Sequence, residues 1–291
     1  MNPALLLLAD SRLPAGGHAH SGGTEQAITS GAVSDVPSLA RFLRGRLHTT
    51  GALAAILTAA AHTQAITPPP QPPSSASTTT GAGADAEVGQ VAAGAPWVLL
   101  DAEVDARTAA PAQRDASRTQ GRLLLRVARR VWPSPVLDEL ARAVPSPHHP
   151  IALGAVAYAA GATAEEAAMA AAYHAISGPA TAAVRLLGLD PVAVHGLLAD
   201  LSPDLTAIAT EAHLAVTNAR STAHPDVTNT DSTAHPTVTD TDSTAHPGPT
   251  SQTPDPADPL PWLAALPAYS SPALDLLAEQ HARAEVRLFV S

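Results

Sequence analysis

Apolar positions in this chain recur mostly every three to four residues, the period of a helix rather than of a strand. Leu39, Phe42, Leu43 and Leu47 follow Ser34-Asp35 and Pro37, which predicts a helix opening on that polar pair. Pro111 suits a first helical turn. Beyond it Ala116, Leu124, Val127, Ala128 and Val131 form an apolar stripe that ends before Pro133. Thr163 and Glu166 have the spacing of a capping box, in which each side chain satisfies the other residue's orphan backbone N–H. That box predicts an Ala-rich helix running toward Ile176, broken or kinked at Gly178-Pro179. Ser271-Pro272 reads as an N-cap with proline at the first helical position, and Leu274, Leu277, Ala278, His281 and Leu288 then share a face. No stretch reads convincingly as a strand. The expected fold class is all-α, a single helical-bundle-like domain over 1–291.

Two segments interrupt the periodicity and are expected to be disordered, low-complexity insertions. The first, 67–96, starts in Pro68-Pro69-Pro70-Gln71-Pro72-Pro73 and passes through Ser, Thr, Gly and Ala. It offers too little apolar surface to offset the entropy of ordering it. The second, 217–259, repeats Ser-Thr-Ala-His-Pro at Ser221, Ser232 and Ser243. Its units have no apolar face to stack on one another, so they read as a low-complexity expansion rather than a repeat fold. The repeat histidines His224, His235 and His246 stand eleven residues apart, each before proline, which disfavours their meeting on one metal ion.

Composition narrows the picture further. The hydrophobic share is 45% but aromatics are only 3%, so Ala and Leu must fill the core, which favours close-packed helices over a sheet. With no cysteine, disulfides, thiolate metal sites and a cysteine nucleophile are excluded. No apolar run approaches the ~20 residues that span a bilayer, and the N-terminus lacks a basic n-region; a soluble cytoplasmic protein without a membrane partner is the expectation. The formal net charge is −10, and all 16 basic residues are arginines. Six aspartates against the single Arg220 in 217–259 carry half of that excess. No broad basic face is available to neutralise phosphates, which argues against a nucleic-acid partner.

Candidate chemistry is sparse. Arg114, Arg118, Arg122 and Arg126 repeat every four residues after Pro111, either as a solvated helix face or as a docking ridge for an acidic partner helix. Gly121 in the same helix costs about 1 kcal/mol relative to Ala, which implies that another backbone passes close by. The loop 14–23 holds four glycines but lacks the Gly-Lys-Ser/Thr ending of a phosphate cradle, so a backbone lying flat on another surface is the better reading. His18 with His20, and His148 with His149, are pairs that suit a divalent cation such as nickel, yet neither has a clear third ligand. His281 and Glu285 stand four apart, the spacing of a helical ion pair. No nucleophile elbow or other catalytic set is present, so neither an enzyme nor a cofactor is expected.

The two ends of the chain carry a resemblance. The segment from Leu13 to Glu25 (Leu-Pro-Ala-Gly-Gly-His-Ala-His-Ser-Gly-Gly-Thr-Glu) and the segment from His281 to Ser291 (His-Ala-Arg-Ala-Glu-Val-Arg-Leu-Phe-Val-Ser) resemble the urease accessory protein UreF family. The family starts with an LPxGG(F/S)xxSxGLE-like motif and finishes with HxxxxxRL(F/Y)xS. Asp101, Arg114, Ser117 and Gly121 are similar to an internal stretch of the family, as are His149–Gly154 and Ala182–Leu186. Thr24 replaces the usual Leu, His18 stands at a commonly aromatic position, Val194-His195 replaces a Gly-Gln pair, and Val290 replaces a frequent Arg.

The resemblance implies an all-helical, dimeric, non-enzymatic adaptor that bridges UreD (UreH) and the GTPase UreG while nickel is inserted into urease apoprotein. The alternative is a metallochaperone that binds nickel directly through loop histidines. The residues expected to touch partners are Pro14, Gly16, Gly17, His18, His20, Ser21 and Glu25 in the loop, Arg114, Arg118 and Gly121 on the arginine helix, and Arg287, Leu288 and Phe289 in the tail.

Overall fold

A computed structural model describes residues 2–10, 13, 20–67, 84–223, 260–284 and 287–289, with backbone only over 84–93. Among these residues there are helices and no strands. In chain order they are α1 (Pro3–Ala9), α2 (Thr24–Thr29), α3 (Val36–Arg46), α4 (Ala52–Ile66), α5 (Ala84–Arg107), α6 (Pro111–Val131), α7 (Pro135–Ala143), α8 (His149–Ala159), α9 (Ala164–Leu187), α10 (Pro191–Asp200), α11 (Ser202–Ala223) and α12 (Pro272–Arg283). A π-helical turn at Leu47–Gly51 joins α3 to α4, and a 3-10 turn at Pro261–Ala265 precedes α12. The expected all-α class is what the chain adopts.

The centre is built from small side chains. Helix α4 packs chiefly on α8 and α9, and Ala55, Ala59, Ala60 and Ala61 are all inaccessible to solvent. Gly154 of α8 lies so close to α4 that a Cβ there would stand 2.4 Å from the Thr58 carbonyl oxygen. Alanine and glycine therefore let two backbones touch, where larger residues would hold the helix axes farther apart. Leu39, Leu43 and Leu47 bury the inner face of α3 and its π-turn as their spacing requires.

Caps follow the local sequence. Ser38 N–H donates to the Asp35 carboxylate at 2.8 Å, and Asp35 N–H to the Ser38 hydroxyl at 3.0 Å. Thr163 and Glu166 close their box with two 3.1 Å bonds, and Glu166 also accepts from the Asn2 backbone N–H at 3.0 Å, which ties α1 to the start of α9.

Several expectations need correcting. Of the break or kink expected at Gly178-Pro179, the break does not occur: α9 contains Pro179 and runs on to a left-handed Gly188 cap. Pro179 has no N–H for the carbonyl of Ala175 four residues earlier, and the Arg46 guanidinium donates to that carbonyl instead, at 2.7 Å. The first insertion ends earlier than Pro96, since α5 already includes Ala84 to Pro96 and buries Trp97, whose indole N–H donates to Glu139 at 2.9 Å. The second begins later than Thr217, since α11 reaches Ala223 with Ala219 buried and Arg220 5.7 Å from the Trp262 ring centroid. The remainder of both insertions, 68–83 and 224–259, lies outside the described residues. Ser271 does not cap α12 through its side chain; its hydroxyl accepts from Thr49 at 3.3 Å. Leu288 does not continue the face of α12, because the chain leaves the helix at an extended Ala284. Among the described residues no single helix is long and apolar enough to cross a membrane; α10 and α11 qualify only as a pair bent by 43°.

Candidate partner-binding site

Two left-handed glycines, Gly22 (φ 60°) and Gly23 (φ 85°), turn the N-terminal segment into α2, a conformation that side chains bearing a Cβ rarely adopt. The turn places Glu25 in the first helical turn, where Ser21 Oγ accepts from its backbone N–H at 3.4 Å. From there the Glu25 carboxylate accepts two backbone N–H groups of the C-terminal tail, Leu288 at 2.8 Å and Phe289 at 3.0 Å. His281, buried on α12, completes the clamp: Nε2 lies 3.2 Å from the Phe289 carbonyl oxygen and Nδ1 3.8 Å from Glu25. The two terminal motifs thus meet, although 263 residues separate Glu25 from Leu288. The tail is held by its backbone, which leaves Arg287 exposed and Leu288 76% exposed. Glu285, expected to pair with His281, lies outside the described residues, and Glu25 stands against His281 instead.

Other expected residues fall in different settings. His20 and Ser21 are buried, and burial lowers the His20 pKa below the usual imidazole range. Pro14, Gly16, Gly17 and His18 lie outside the described residues. Arg114 and Arg118 are held by the chain itself. Arg114 donates to the Thr108 carbonyl at 2.8 Å, and Arg118 donates to Asp101 and to the Ser146 carbonyl, each at 2.8 Å, and also to Asp105. The outer members of the ridge, Arg122 and Arg126, are exposed. Gly121 meets the close backbone that its position implied, but that backbone is internal: a Cβ would stand 2.1 Å from the Pro147 carbonyl oxygen.

The same packing splits the His148-His149 pair. His148 is fully buried, with its N–H on Asp101 at 2.8 Å and Nε2 against Asp105 at 2.9 Å. Burial lowers the His148 pKa and outweighs the two nearby carboxylates. Burial raises that of Asp105, but hydrogen bonds from His148 and Arg118 outweigh it and hold the carboxyl below its ordinary value. Ligand atoms of Asp101, Asp105 and His148 lie within 4.8 Å of one another, a donor set of the kind that holds cations. Arg118 already supplies the positive charge there, so the cluster works as an ion-paired strut between α5, α6 and the start of α8.

Comparison with known proteins decides the family. The family model described as UreF matches residues 33–202. The chain belongs to the UreF family. It is similar to the "Urease accessory protein UreF" of Mycobacterium sp. (strain JLS), 46% identical over 210 residues, covering 71% of this chain and 84% of the relative. Proteins of the same name from Mycolicibacterium vanbaalenii and Mycobacterium marinum are 42% and 41% identical over 208 and 214 residues. These alignments cover 72% and 74% of this chain, and 84% and 86% of the relatives. The matched UreF region contains α3 to α10 but not the Glu25–tail clamp, which rests on the terminal motifs and their geometry.

Sequence reasoning overlooked Arg46. A signal was present: it stands seven residues after Leu39 and three after Leu43, on the apolar side of its helix. The side chain is largely enclosed, with Nε on Ala175 and Nη1 on the Gly22 carbonyl at 2.8 Å, and burial lowers its pKa to about 10.

Proposed function

We propose that this UreF-family chain is a non-enzymatic adaptor in urease maturation. It holds UreD (UreH) and the GTPase UreG together, as a homodimer, while nickel passes into urease apoprotein. The observation that carries this reading is the Glu25 clamp, which fixes the tail by its backbone and leaves Arg287 and Leu288 free for a partner. Arginine offers planar, bidentate contacts, and large apolar side chains dominate the energetics of interfaces. The relatives' shared name, urease accessory protein, supports the general role. Such an adaptor acts through its differential affinity for the states of its partner.

Removal of Arg287–Ser291 tests the reading. The truncated chain is expected to keep its helicity and lose co-purification with UreD and UreG; undiminished complex formation refutes it. The metallochaperone alternative predicts tight nickel uptake that His18→Ala/His20→Ala abolishes while the complex still forms. Calorimetry on the same proteins separates the two.

A further inference from the structure

Two half-open cavities share part of their lining. One, of about 460 Å³, opens between the π-turn, α6 and α12; the other, of about 470 Å³, lies among α1, α9 and α10. Arg46, Gln120, His149 and His174 line both, and so mark their junction. These residues come from α3, α6, α8 and α9, which fixes their relative positions through four packed helices.

Among the four shared residues Arg46 is the charged one and donors are to spare, while Asp275 lines the first cavity and Asp10 and Arg185 the second. Arg46 satisfies two backbone carbonyls, and among the described residues it has no carboxylate partner and no hydrogen bond from Nη2. The side chains of Gln120 and His149 likewise make no hydrogen bond to a described residue, although the His149 backbone N–H is held by Ser117 at 3.1 Å. His174 Nε2 is engaged by the Leu8 carbonyl at 3.0 Å, and its ring lies 5.8 Å from that of His149. The other arginine at the first cavity, Arg107, is committed to Glu103 and to three backbone carbonyls. A fixed guanidinium beside a neutral amide and a neutral imidazole selects an anion over a metal cation. The apolar walls, Leu53 on one side and Leu124 on the other, favour an organic body over a fully hydrated inorganic ion.

We propose that this junction binds a small organic carboxylate, its charge held by Arg46, Gln120 and His149 and its apolar part against Leu53 and Leu124. The site adjoins the Glu25 clamp, since His281 lines the first cavity and Phe289 the second, but the proposal does not depend on the adaptor role.

Butyrate is a suitable probe, with n-butanol as the uncharged control and inorganic phosphate as the anion without an apolar body. Calorimetry on the full chain at constant ionic strength is expected to show saturable butyrate binding with Kd of about 1 mM, within the efficiency available to so small a ligand. Phosphate and butanol are expected to bind at least tenfold more weakly. Gln120→Leu and His149→Phe should each fold normally and weaken butyrate binding about tenfold, and Arg46→Met should abolish it. Should Arg46→Met fail to fold, the other two variants carry the test. No saturable binding at concentrations about thirtyfold above the expected Kd overturns the proposal. So does unchanged affinity in Gln120→Leu and His149→Phe, or phosphate binding as tightly as butyrate.

Discussion

The Nε of Arg46 donates to the carbonyl oxygen of Ala175 at 2.7 Å, and that carbonyl is the one Pro179 leaves without its helical partner. A side chain at the end of α3 thereby keeps α9 continuous across a proline. The same guanidinium reaches the Gly22 carbonyl, so it also ties α9 to the turn that positions Glu25.

A coupling between Arg46 and Pro179 follows. Arg46→Met is expected to destabilise the fold by about 2–3 kcal/mol, because two half-buried carbonyls lose a charged donor. In a Pro179→Ala background the alanine N–H serves Ala175, so the cost of Arg46→Met should fall by about 1 kcal/mol. Urea unfolding of the double-mutant cycle measures this. Strict additivity would mean that the Ala175 carbonyl does not need Arg46.

Glu25 is expected to hold the tail in solution. Glu25→Ala should lower stability by about 1–2 kcal/mol and leave helicity intact, while the Leu288 and Phe289 amides exchange at the rate of an unstructured chain. Hydrogen exchange with NMR or mass-spectrometric readout checks it. Persistent protection of those amides in the variant would show that another group carries the tail.

Gly121→Ala is expected to destabilise by about 3 kcal/mol or more, since the added Cβ would stand 2.1 Å from the Pro147 carbonyl oxygen, a backbone atom that cannot swing aside. Denaturant unfolding gives the value directly. Arg122→Ala on the same helix, at an exposed position, should stay within about 0.5 kcal/mol of the wild type.

Acid should weaken the fold well before the carboxylates titrate. Burial lowers the pKa of His20, His62, His148, His149 and His174, that of His149 to about 3. Below about pH 6.5 the unfolded chain takes up protons that these folded imidazoles refuse. Their contribution is therefore fully present above pH 6.5 and lost as pH falls, with a slope approaching about 1.4 kcal/mol per pH unit for each group. For His149 the loss continues to about pH 3. Unfolding free energies at pH 5, 6 and 7 test this, and His149→Gln should flatten the profile by one proton's worth. A flat profile between pH 5 and 7 would contradict it.

The extent of the second insertion can be tested by two deletions. Removing 226–256 is expected to leave the melting temperature within about 2 °C of the full chain, because the segment has no apolar periodicity. Removing Asn218–Asp258 also takes the buried Ala219 and the Arg220–Trp262 contact, and should cost several degrees.

Much of the secondary structure was legible from single residues at fixed offsets. The helix opening at Asp35, the Thr163–Glu166 box, Pro111 and Pro272 at first turns, and the 39–43–47 stripe are all local, and each formed where its chemistry required. Gly121 announced a close backbone by its cost in an otherwise good helix, but not whose backbone it was. The arginines after Pro111 looked alike in sequence, yet Arg114 and Arg118 became internal struts while Arg122 and Arg126 face solvent.

The sequence by itself determined the all-α class, the small-residue core, most helix starts and, through the terminal motifs, the family. Those follow from backbone hydrogen bonding and side-chain period, which act within a few residues. Tertiary structure alone decided that α9 survives Pro179, that His148 and His149 part company, and that Glu25 grips a tail 263 residues away. Each depends on a donor or acceptor delivered from another helix. Its identity is written in the chain, but its partner is set only when the core packs and leaves one carbonyl, one carboxylate or one amide within hydrogen-bonding reach.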